Sequence, residues 1–440
     1  MRFAKYNNTT NNVNHFFLLL FIFWLPLKDN FLPLLLFFWI LTWLLEGNFK
    51  KRFNQYLPSK PLLLALIIYF LLTCFALFIS TSFDDGILEV QQKLSLVFFP
   101  ILIIGSRHKI KENLNTILLI FIIGILAASL FCLANATASS ISINNGIINF
   151  EYWPYPEFKG ESFWKLVNIR FNNYSSGFLS IFIHPSYFAM FLVFSICILL
   201  FFIKHKLVSK TIHKVGVVIL ITFFLLMIYL LQSRAGIMSL VIVFLIFVTI
   251  EIKRKFKKRY LILVLIVIPL LGLLLFSSSK LKRNFTELKE IYADPSGYSI
   301  EKVDVRYRVW FSSLKVIEEN FWLGTSPANL IDELVVKYNE LGYEDAGSGK
   351  LNSHNQYLET FAGLGVFGFL SLMFILVYGF VISIKQRHYL LFFLMLILSV
   401  NFLFESMMNR MSGILFMMLF ISIFVFVDIP MRNNTAEKTV

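Results

Sequence analysis

The chain has 440 residues, of which 58% are hydrophobic and 17% aromatic, and its formal net charge is +14. A mean hydropathy of +0.73 excludes an ordinary soluble enzyme. The same apolar composition argues against a nucleic-acid-binding protein, despite the many basic residues. The composition is that of a polytopic membrane protein, in which positive charge reports topology.

Twelve apolar runs follow one another along the chain, and a helix needs about 20 apolar residues to cross a bilayer. We therefore predict an all-α integral membrane protein with about twelve transmembrane helices. The first two runs are separated only by Lys28, Asp29 and Asn30, and could instead form one kinked span. The runs are 16–27, 31–45, 61–80, 93–105, 113–135, 177–203, 215–232, 236–250, 260–277, 357–383, 389–404 and 412–428.

The predicted spans divide the chain into three parts. Residues 1–277 contain spans one to nine and a polar loop at 136–176, residues 278–356 form a large loop, and residues 357–440 contain the last three spans and a tail. Within the large loop, periodicity predicts helices over 304–319 and 328–341. Gly347, Ser348 and Gly349 predict a flexible lead-in to residue 354.

Basic residues alternate between the turns that join the spans. With the N-terminus inside the cell, 23 of the 40 Lys and Arg residues lie in short inner segments, whereas the short outer turns are nearly bare of them. This alternation follows the positive-inside rule. It predicts that both termini are cytoplasmic and that the loops 136–176 and 278–356 face outward.

His354 lies where the large outer loop meets the tenth predicted span. An imidazole can transfer protons near neutral pH, and Asn355 and Glu359 follow it closely, so that the Glu359 carboxylate could orient the ring. A purely structural alternative is that His354 caps the next helix or lies among lipid headgroups. In the same way, His184 and Tyr187 open the sixth span around Pro185, as a supporting part of a site or as a helix-start motif.

Three arginines stand out because the inside rule does not require positive charge at the outer surface. Arg234 lies between the seventh and eighth spans, and Arg306 and Arg308 begin the first predicted loop helix. A guanidinium suits phosphate binding, whereas the structural alternatives are snorkelling to headgroups and stacking on Trp310. Glu405, in the last outer turn, could pair with Arg410 or Arg234.

Residue spacing gives no sign of a metal or another cofactor. No cluster of His, Cys, Asp and Glu has metal-ligand spacing, and no Gly-rich phosphate loop is present. The cysteines lie in apolar runs without a C-x-x-C spacing and are interpreted as buried small residues, namely Cys74, Cys132 and Cys197. We expect neither a metal ion nor another cofactor.

Four segments, in order, resemble the O-antigen ligase and polymerase superfamily. They are Gln-Ser-Arg-Ala-Gly (232–236), Val-Arg-Tyr-Arg-Val-Trp (305–310), Leu-Gly-Thr-Ser-Pro-Ala-Asn (323–329) and Ser-His-Asn-Gln-Tyr-Leu-Glu (353–359). The resemblance covers roughly residues 175–425. His-Pro-Ser-Tyr (184–187) and Phe-Glu-Ser-Met-Met-Asn-Arg (404–410) resemble the branch found in Bacteroidetes-like bacteria. One departure is the 324–328 turn, where Ser326, Pro327 and Ala328 stand in place of later glycines.

This resemblance implies a metal-independent, inverting glycosyltransferase of the bacterial inner membrane. Its donor would be a glycan on undecaprenyl diphosphate, and its acceptor a hydroxyl of lipid A-core or a similar glycan, on the periplasmic face. By analogy, His354 would be the catalytic base, and Arg234 and Arg306 would bind the diphosphate. Membrane lipids, and not nucleic acid, would be the other partners.

Four alternatives are considered at this stage. A polymerase of repeat units and a protein O-oligosaccharyltransferase would use the same donor with a different acceptor. A transporter of polyprenyl-linked glycans would predict charged residues in mid-span and repeated halves, and the sequence contains neither. A structural scaffold would leave the outward arginines unexplained.

Overall fold

The computed structural model describes residues 2–47, 49–53, 59–144, 147–253 and 305–427. Within them, helices dominate, and a single two-stranded antiparallel hairpin joins β1 (Ile141–Asn144) to β2 (Ile147–Phe150) with Ile141 opposite Phe150. In chain order the helices are α1 (Arg2–Trp24), α2 (Leu32–Leu45), α3 (Phe49–Phe53), α4 (Lys60–Ala76), α5 (Phe83–Lys93), α6 (Ser95–Glu112), α7 (Leu114–Ser139), α8 (Phe163–Ile169), α9 (Ser176–Leu179), α10 (Pro185–Lys204), α11 (Thr211–Leu231), α12 (Arg234–Lys253), α13 (Val305–Glu319), α14 (Leu330–Glu340), α15 (Glu344–Ser348), α16 (Gln356–Lys385), α17 (Tyr389–Phe402) and α18 (Met411–Phe426).

The predicted all-α class is confirmed, and the chain is a multi-pass membrane protein. Among the described residues, six helices are long and apolar enough to cross a bilayer, and five shorter apolar helices accompany them. These eleven helices correspond to eleven of the predicted spans. The ninth predicted span, 260–277, and loop residues 278–304 lie outside the described residues. The twelve-span count and the three-part division therefore stay predictions.

Helix ends differ from the prediction around the fourth span. The acidic residues Asp84, Asp85 and Glu89, which precede the predicted fourth span at 93–105, lie on helix α5, and the Ser82 hydroxyl caps that helix by accepting from the Asp85 amide. Asp84 and Asp85 thus occupy its first turn, where carboxylates complement the helix dipole. The span therefore begins about ten residues earlier than the apolar run indicates.

The connection predicted at 136–176 is displaced along the chain, because it runs from residue 140 to residue 184, and it contains regular secondary structure. Helix α7 continues to Ser139, four residues into the predicted loop 136–176, and the hairpin and helix α8 follow it. The sixth span begins at Pro185 and not at residue 177. Proline occupies the first helical position of α10, which is confirmed as its opening, and the His184 side chain accepts a hydrogen bond from the Ser186 amide.

Helices α10 and α18 form the centre of the bundle. In the apolar stretch of α10, 89% of the residues are buried inside the protein. In α18, every residue from Ser412 to Phe426 is buried. The rings of Phe191 and Phe416 stack with centroids 4.5 Å apart. This packing brings the start of α10 beside the segment that precedes α18, which fixes one wall of the site.

Helices α13 to α15 form a small unit with its own core, seated on the start of α16. Val309, Leu334 and Tyr338 are buried together with Ala362 of α16. Both predicted loop helices are confirmed by α13 and α14. The predicted flexible lead-in is wrong, because Gly347 and Ser348 belong to helix α15.

Helix α16 is distorted at Gly365, where φ is +65° and ψ is −168°. A Cβ atom at this position would lie 2.2 Å from the carbonyl oxygen of Trp322. The Thr325 amide also donates to the Ala362 carbonyl over 2.9 Å. The turn after α13 thus docks directly on the helix that begins just after His354.

We expect Gly365→Ala to destabilise the protein strongly. This backbone region is accessible essentially to glycine alone and costs other residues about 1–3 kcal/mol, to which the clash with Trp322 adds. The measurement is the thermal unfolding midpoint of the purified protein in detergent. Gly216→Ala on α11 is the control, because a Cβ there meets nothing within 4 Å. Equal midpoints for the two variants would contradict the docking described here.

Candidate active site

The site lies where several elements end on one side of the bundle. His354 lies two residues before the start of α16, His184 caps α10, and Arg306 lies in the first turn of α13. Glu405 occupies the segment between α17 and α18. Residues that are far apart in the chain, and that the sequence singled out separately, therefore meet around one carboxylate.

Glu405 connects the catalytic candidate to an arginine. Its Oε1 accepts a hydrogen bond of 3.0 Å from the Ser186 hydroxyl and lies 3.5 Å from an Nη of Arg306. Its Oε2 lies 3.5 Å from Nδ1 of His354. These contacts of Glu405 run to Arg306, His354 and Ser186, and its pairing with Arg410 or Arg234 stays a prediction.

The electrostatic environment keeps Glu405 ionised at neutral pH. Burial alone would raise the pKa of its carboxyl group, since only 7% of the residue is exposed. The contact with His354 and the nearby His184 and Arg306 outweigh burial and hold the pKa of Glu405 below its ordinary value. A fixed negative charge thus faces the imidazole.

The backbone on both sides of His354 is fixed by two asparagines. The His354 amide donates to Oδ1 of Asn352 over 3.1 Å, and Oδ1 of Asn355 accepts from the amides of Tyr357 and Leu358. Asn355 is therefore the N-cap of α16, a supporting and not a chemical role. His354 has φ of +43°, a left-handed conformation that concentrates at functional positions, and its side chain is 31% exposed.

Glu359 does not orient the His354 ring, contrary to the sequence interpretation. Its Oε2 accepts from the Ser353 amide and the Ser406 hydroxyl, and its Oε1 accepts from the Asn409 side chain. The sequence could not distinguish the two carboxylates, because Glu405 reaches His354 only through the packing of the last helices.

Arg170 is a third arginine of this region that sequence reasoning missed. Its guanidinium donates to the Gln232 carbonyl, two residues before Arg234. Burial lowers the pKa of Arg170, and the positive charges of Arg234 and Arg306 lower it further. The guanidinium group of Arg170 therefore lies close enough to Arg234 and to Arg306 for their charges to act on it. An arginine in loop 136–176, which the charge alternation predicts to face outward, was the available signal, by the same reasoning that singled out Arg234.

Arg308 points elsewhere. Its two Nη atoms donate to the two carboxylate oxygens of Asp345, each over 2.7 Å, and the residue is only 8% exposed. This bidentate pair joins α13 to α15 and occupies the donors that a phosphate would need. The geometry favours a structural role for Arg308 over the phosphate binding that the sequence suggested.

His184 and Tyr187 contribute to the wall beside Glu405. The His184 ring lies 6.0 Å from the Tyr187 ring, edge to face, and Tyr187 is buried against the start of α18 near Gly413. His184 is near enough to Glu405 to influence its ionisation. Tyr187 packs the joint between α10 and α18, which places Ser186 against Glu405.

The assembled groups place arginine side chains in the same region as a histidine–carboxylate pair. Three arginines provide planar donors, and one histidine beside a carboxylate can accept a proton. In the part of the chain that the structure describes, no three His, Cys, Asp or Glu residues are grouped as metal ligands. Cations, and not carboxylates, dominate the site.

Comparison with known proteins gives one finding on this region. Residues 217–373 match the family model described as O-antigen ligase. The match includes Arg234, Arg306 and His354, and it stops before Glu405. A comparison with curated proteins found no match.

Proposed function

This chain belongs to the O-antigen ligase superfamily, and we propose that it is an inverting glycosyltransferase. Membership supports a ligase or polymerase type of function in a membrane protein. In our proposal the donor is a glycan on undecaprenyl diphosphate, and the acceptor is a hydroxyl of lipid A-core or a similar glycan. The reaction takes place on the periplasmic face of the bacterial inner membrane.

One observation supports this proposal above the others. The Glu405 carboxylate lies 3.5 Å from both Nδ1 of His354 and an Nη of Arg306. A proton acceptor and a phosphate-binding group are thus held by one side chain. A reaction in which a hydroxyl attacks as a diphosphate departs needs both groups in one site, on opposite sides of the anomeric carbon.

The proposed reaction is a single displacement at the anomeric carbon. The acceptor oxygen forms a bond to that carbon while the bond between the carbon and the phosphate oxygen breaks. The hydroxyl proton passes to His354, and the electron pair leaves with the diphosphate. Attack from the face opposite the leaving group inverts the anomeric configuration.

Glu405 sets the tautomer of the neutral His354 ring in this scheme. A carboxylate beside Nδ1 favours a hydrogen on that nitrogen, so Nε2 is left to accept the acceptor proton. The same carboxylate stabilises the imidazolium that forms. Proton transfer by such a group is typically worth about 10²–10⁴-fold in rate.

The arginines balance the charge that develops on the leaving group. In our proposal Arg234, Arg306 and Arg170 face the diphosphate, and their planar donors match phosphate oxygens. Preorganised charge at a leaving group stabilises the transition state more than the ground state. We propose that this positive field replaces a metal ion, and that no cofactor takes part.

A deletion strain tests the proposed function and distinguishes it from the alternative functions. Loss of a ligase leaves free lipid A-core, loss of a polymerase leaves core with single repeat units, and loss of a protein glycosylation enzyme leaves unmodified proteins. We expect free core together with accumulated lipid-linked glycan on the periplasmic side. Donor retained on the cytoplasmic side would instead indicate a transporter and would overturn the proposal.

A further inference from the structure

Glu359 has a place in the site that the reaction itself does not use. Its Oε2 accepts from the Ser353 amide over 2.9 Å and from the Ser406 hydroxyl over 3.1 Å. Ser353 immediately precedes His354, and Ser406 immediately follows Glu405. One buried oxygen atom therefore holds the chain neighbours of both members of the histidine–carboxylate pair.

The other oxygen of Glu359 anchors this arrangement to a different part of the bundle. Oε1 accepts from Nδ2 of Asn409 over 2.7 Å, and Oδ1 of Asn409 lies 3.4 Å from Nζ of Lys93. Lys93 is 2% exposed and pairs with Glu89 over 2.7 Å. The connected groups thus run from helix α5 to the two segments that carry His354 and Glu405.

Burial of the charged Lys93 and Glu359 side chains is not explained by a gain in stability. Buried ion pairs gain little net stability, because desolvation offsets their attraction, and polar networks serve mainly to specify one arrangement. Glu359 is 5% exposed, and three donors converge on it. That arrangement defines the relative position of two segments that are about 50 residues apart in the chain.

We infer that Glu359 is a positioning residue that sets the spacing between His354 and Glu405. It deepens the proposed function and rests on it. A carboxylate is required because each partner donates: the Lys93 ammonium to Asn409, Asn409 to Glu359, and Ser353 and Ser406 to Glu359. An amide at position 359 has one acceptor oxygen and one NH₂ group, so one donor would face another donor.

The test uses Glu359→Gln in purified protein reconstituted in nanodiscs. Membranes of the deletion strain supply the donor and the acceptor as they accumulate. We expect kcat to fall about 10–100-fold, the loss that displacement of a catalytic group by about 1 Å causes, with the KM for donor changed less than threefold. The donor contacts lie on the arginines, which Glu359 does not touch in the network described above.

A double variant separates positioning from stability. Because Glu359 acts through His354, we expect Glu359→Gln to cause no further loss of kcat in a His354→Ala background. An additional 10-fold loss there, or normal kcat per folded molecule in the single variant, would overturn the inference.

A milder pair of variants keeps the test valid if Glu359→Gln fails to fold. Ser406→Ala removes one hydrogen bond to Oε2, and we expect about a tenfold lower kcat. Ser371→Ala is the matched control. The Ser371 hydroxyl is buried on the same helix as Glu359 and donates to the Ala65 carbonyl, away from the segments that carry His354 and Glu405. Equal kcat values for these two variants would overturn the inference. Absence of transfer by the wild-type protein would instead contradict the proposed function, so the two failures are distinguishable.

Discussion

His354→Ala should reduce glycan transfer to a small residual rate while the protein still folds and inserts. The imidazole is partly exposed, and the surrounding backbone is held by Asn352 and Asn355, so its loss removes little packing. The expected fall in turnover is about 10²–10⁴-fold, the typical value of proton-transfer catalysis. The measurement is transfer to acceptor, normalised to membrane-inserted protein.

The control for this variant is His213→Ala. His213 is exposed near the start of α11, whereas Arg234 follows the end of that helix, so the two positions lie at opposite ends of a span. We expect normal turnover from His213→Ala. A purely structural role of His354 predicts the reverse pattern for its variant, with lower protein yield and normal turnover per surviving molecule.

Arg234→Lys should impair transfer severely although the charge is kept. A guanidinium presents planar, paired donors to phosphate oxygens, and an ammonium presents a single point charge. We expect a fall in kcat on the order of 10²-fold, the value of one donor aimed at developing charge. The measurement is kcat at saturating donor, so that weaker donor binding does not limit the rate.

Arg308→Lys is the matched control for Arg234→Lys. This variant also replaces a guanidinium with an ammonium, but the Arg308 guanidinium donates to Asp345 and not to the site. We expect nearly normal turnover and a lower unfolding midpoint. A wild-type rate for Arg234→Lys would show that charge alone is sufficient and would remove bidentate phosphate binding from the mechanism.

The sequence predicted those parts of the fold that local patterns encode. Apolar runs correspond to the eleven apolar helices of the described residues, and periodicity predicted helices α13 and α14. Helix ends were predicted less well. Ser82 caps helix α5, which includes acidic residues that precede the predicted fourth span. The sixth span was predicted to begin at residue 177, but its helix begins at Pro185. Capping side chains decide such ends, and hydropathy does not report them.

The candidate site was predicted as a set of residue types but not as a set of contacts. The sequence singled out His354, Arg306 and Glu405, and the structure brings them together. The sequence analysis paired Glu359 with the His354 ring because the two residues are near each other in the chain. The actual neighbour, Glu405, is brought there by the packing of α10, α16 and α18, which no local pattern encodes.

Arg170 shows the same limitation from the other direction. It lies in a loop, where periodicity gives no information, and its relation to Arg234 depends on a hydrogen bond to the Gln232 carbonyl. Lys93 was likewise counted only as part of a span boundary. Buried charges of this kind are recognised only when their partners are located in three dimensions.

The most direct test of the central claim is transfer by purified wild-type protein alone. The protein is reconstituted in nanodiscs with lipid-linked donor and acceptor from the deletion strain, in the presence of excess EDTA. We predict that glycosylated acceptor forms together with an equal amount of free undecaprenyl diphosphate, and that the new glycosidic bond has inverted configuration. Intact donor with no glycosylated acceptor, or transfer that stops in EDTA and resumes with added Mg²⁺ or Mn²⁺, would contradict an enzyme that relies on His354 and its arginines.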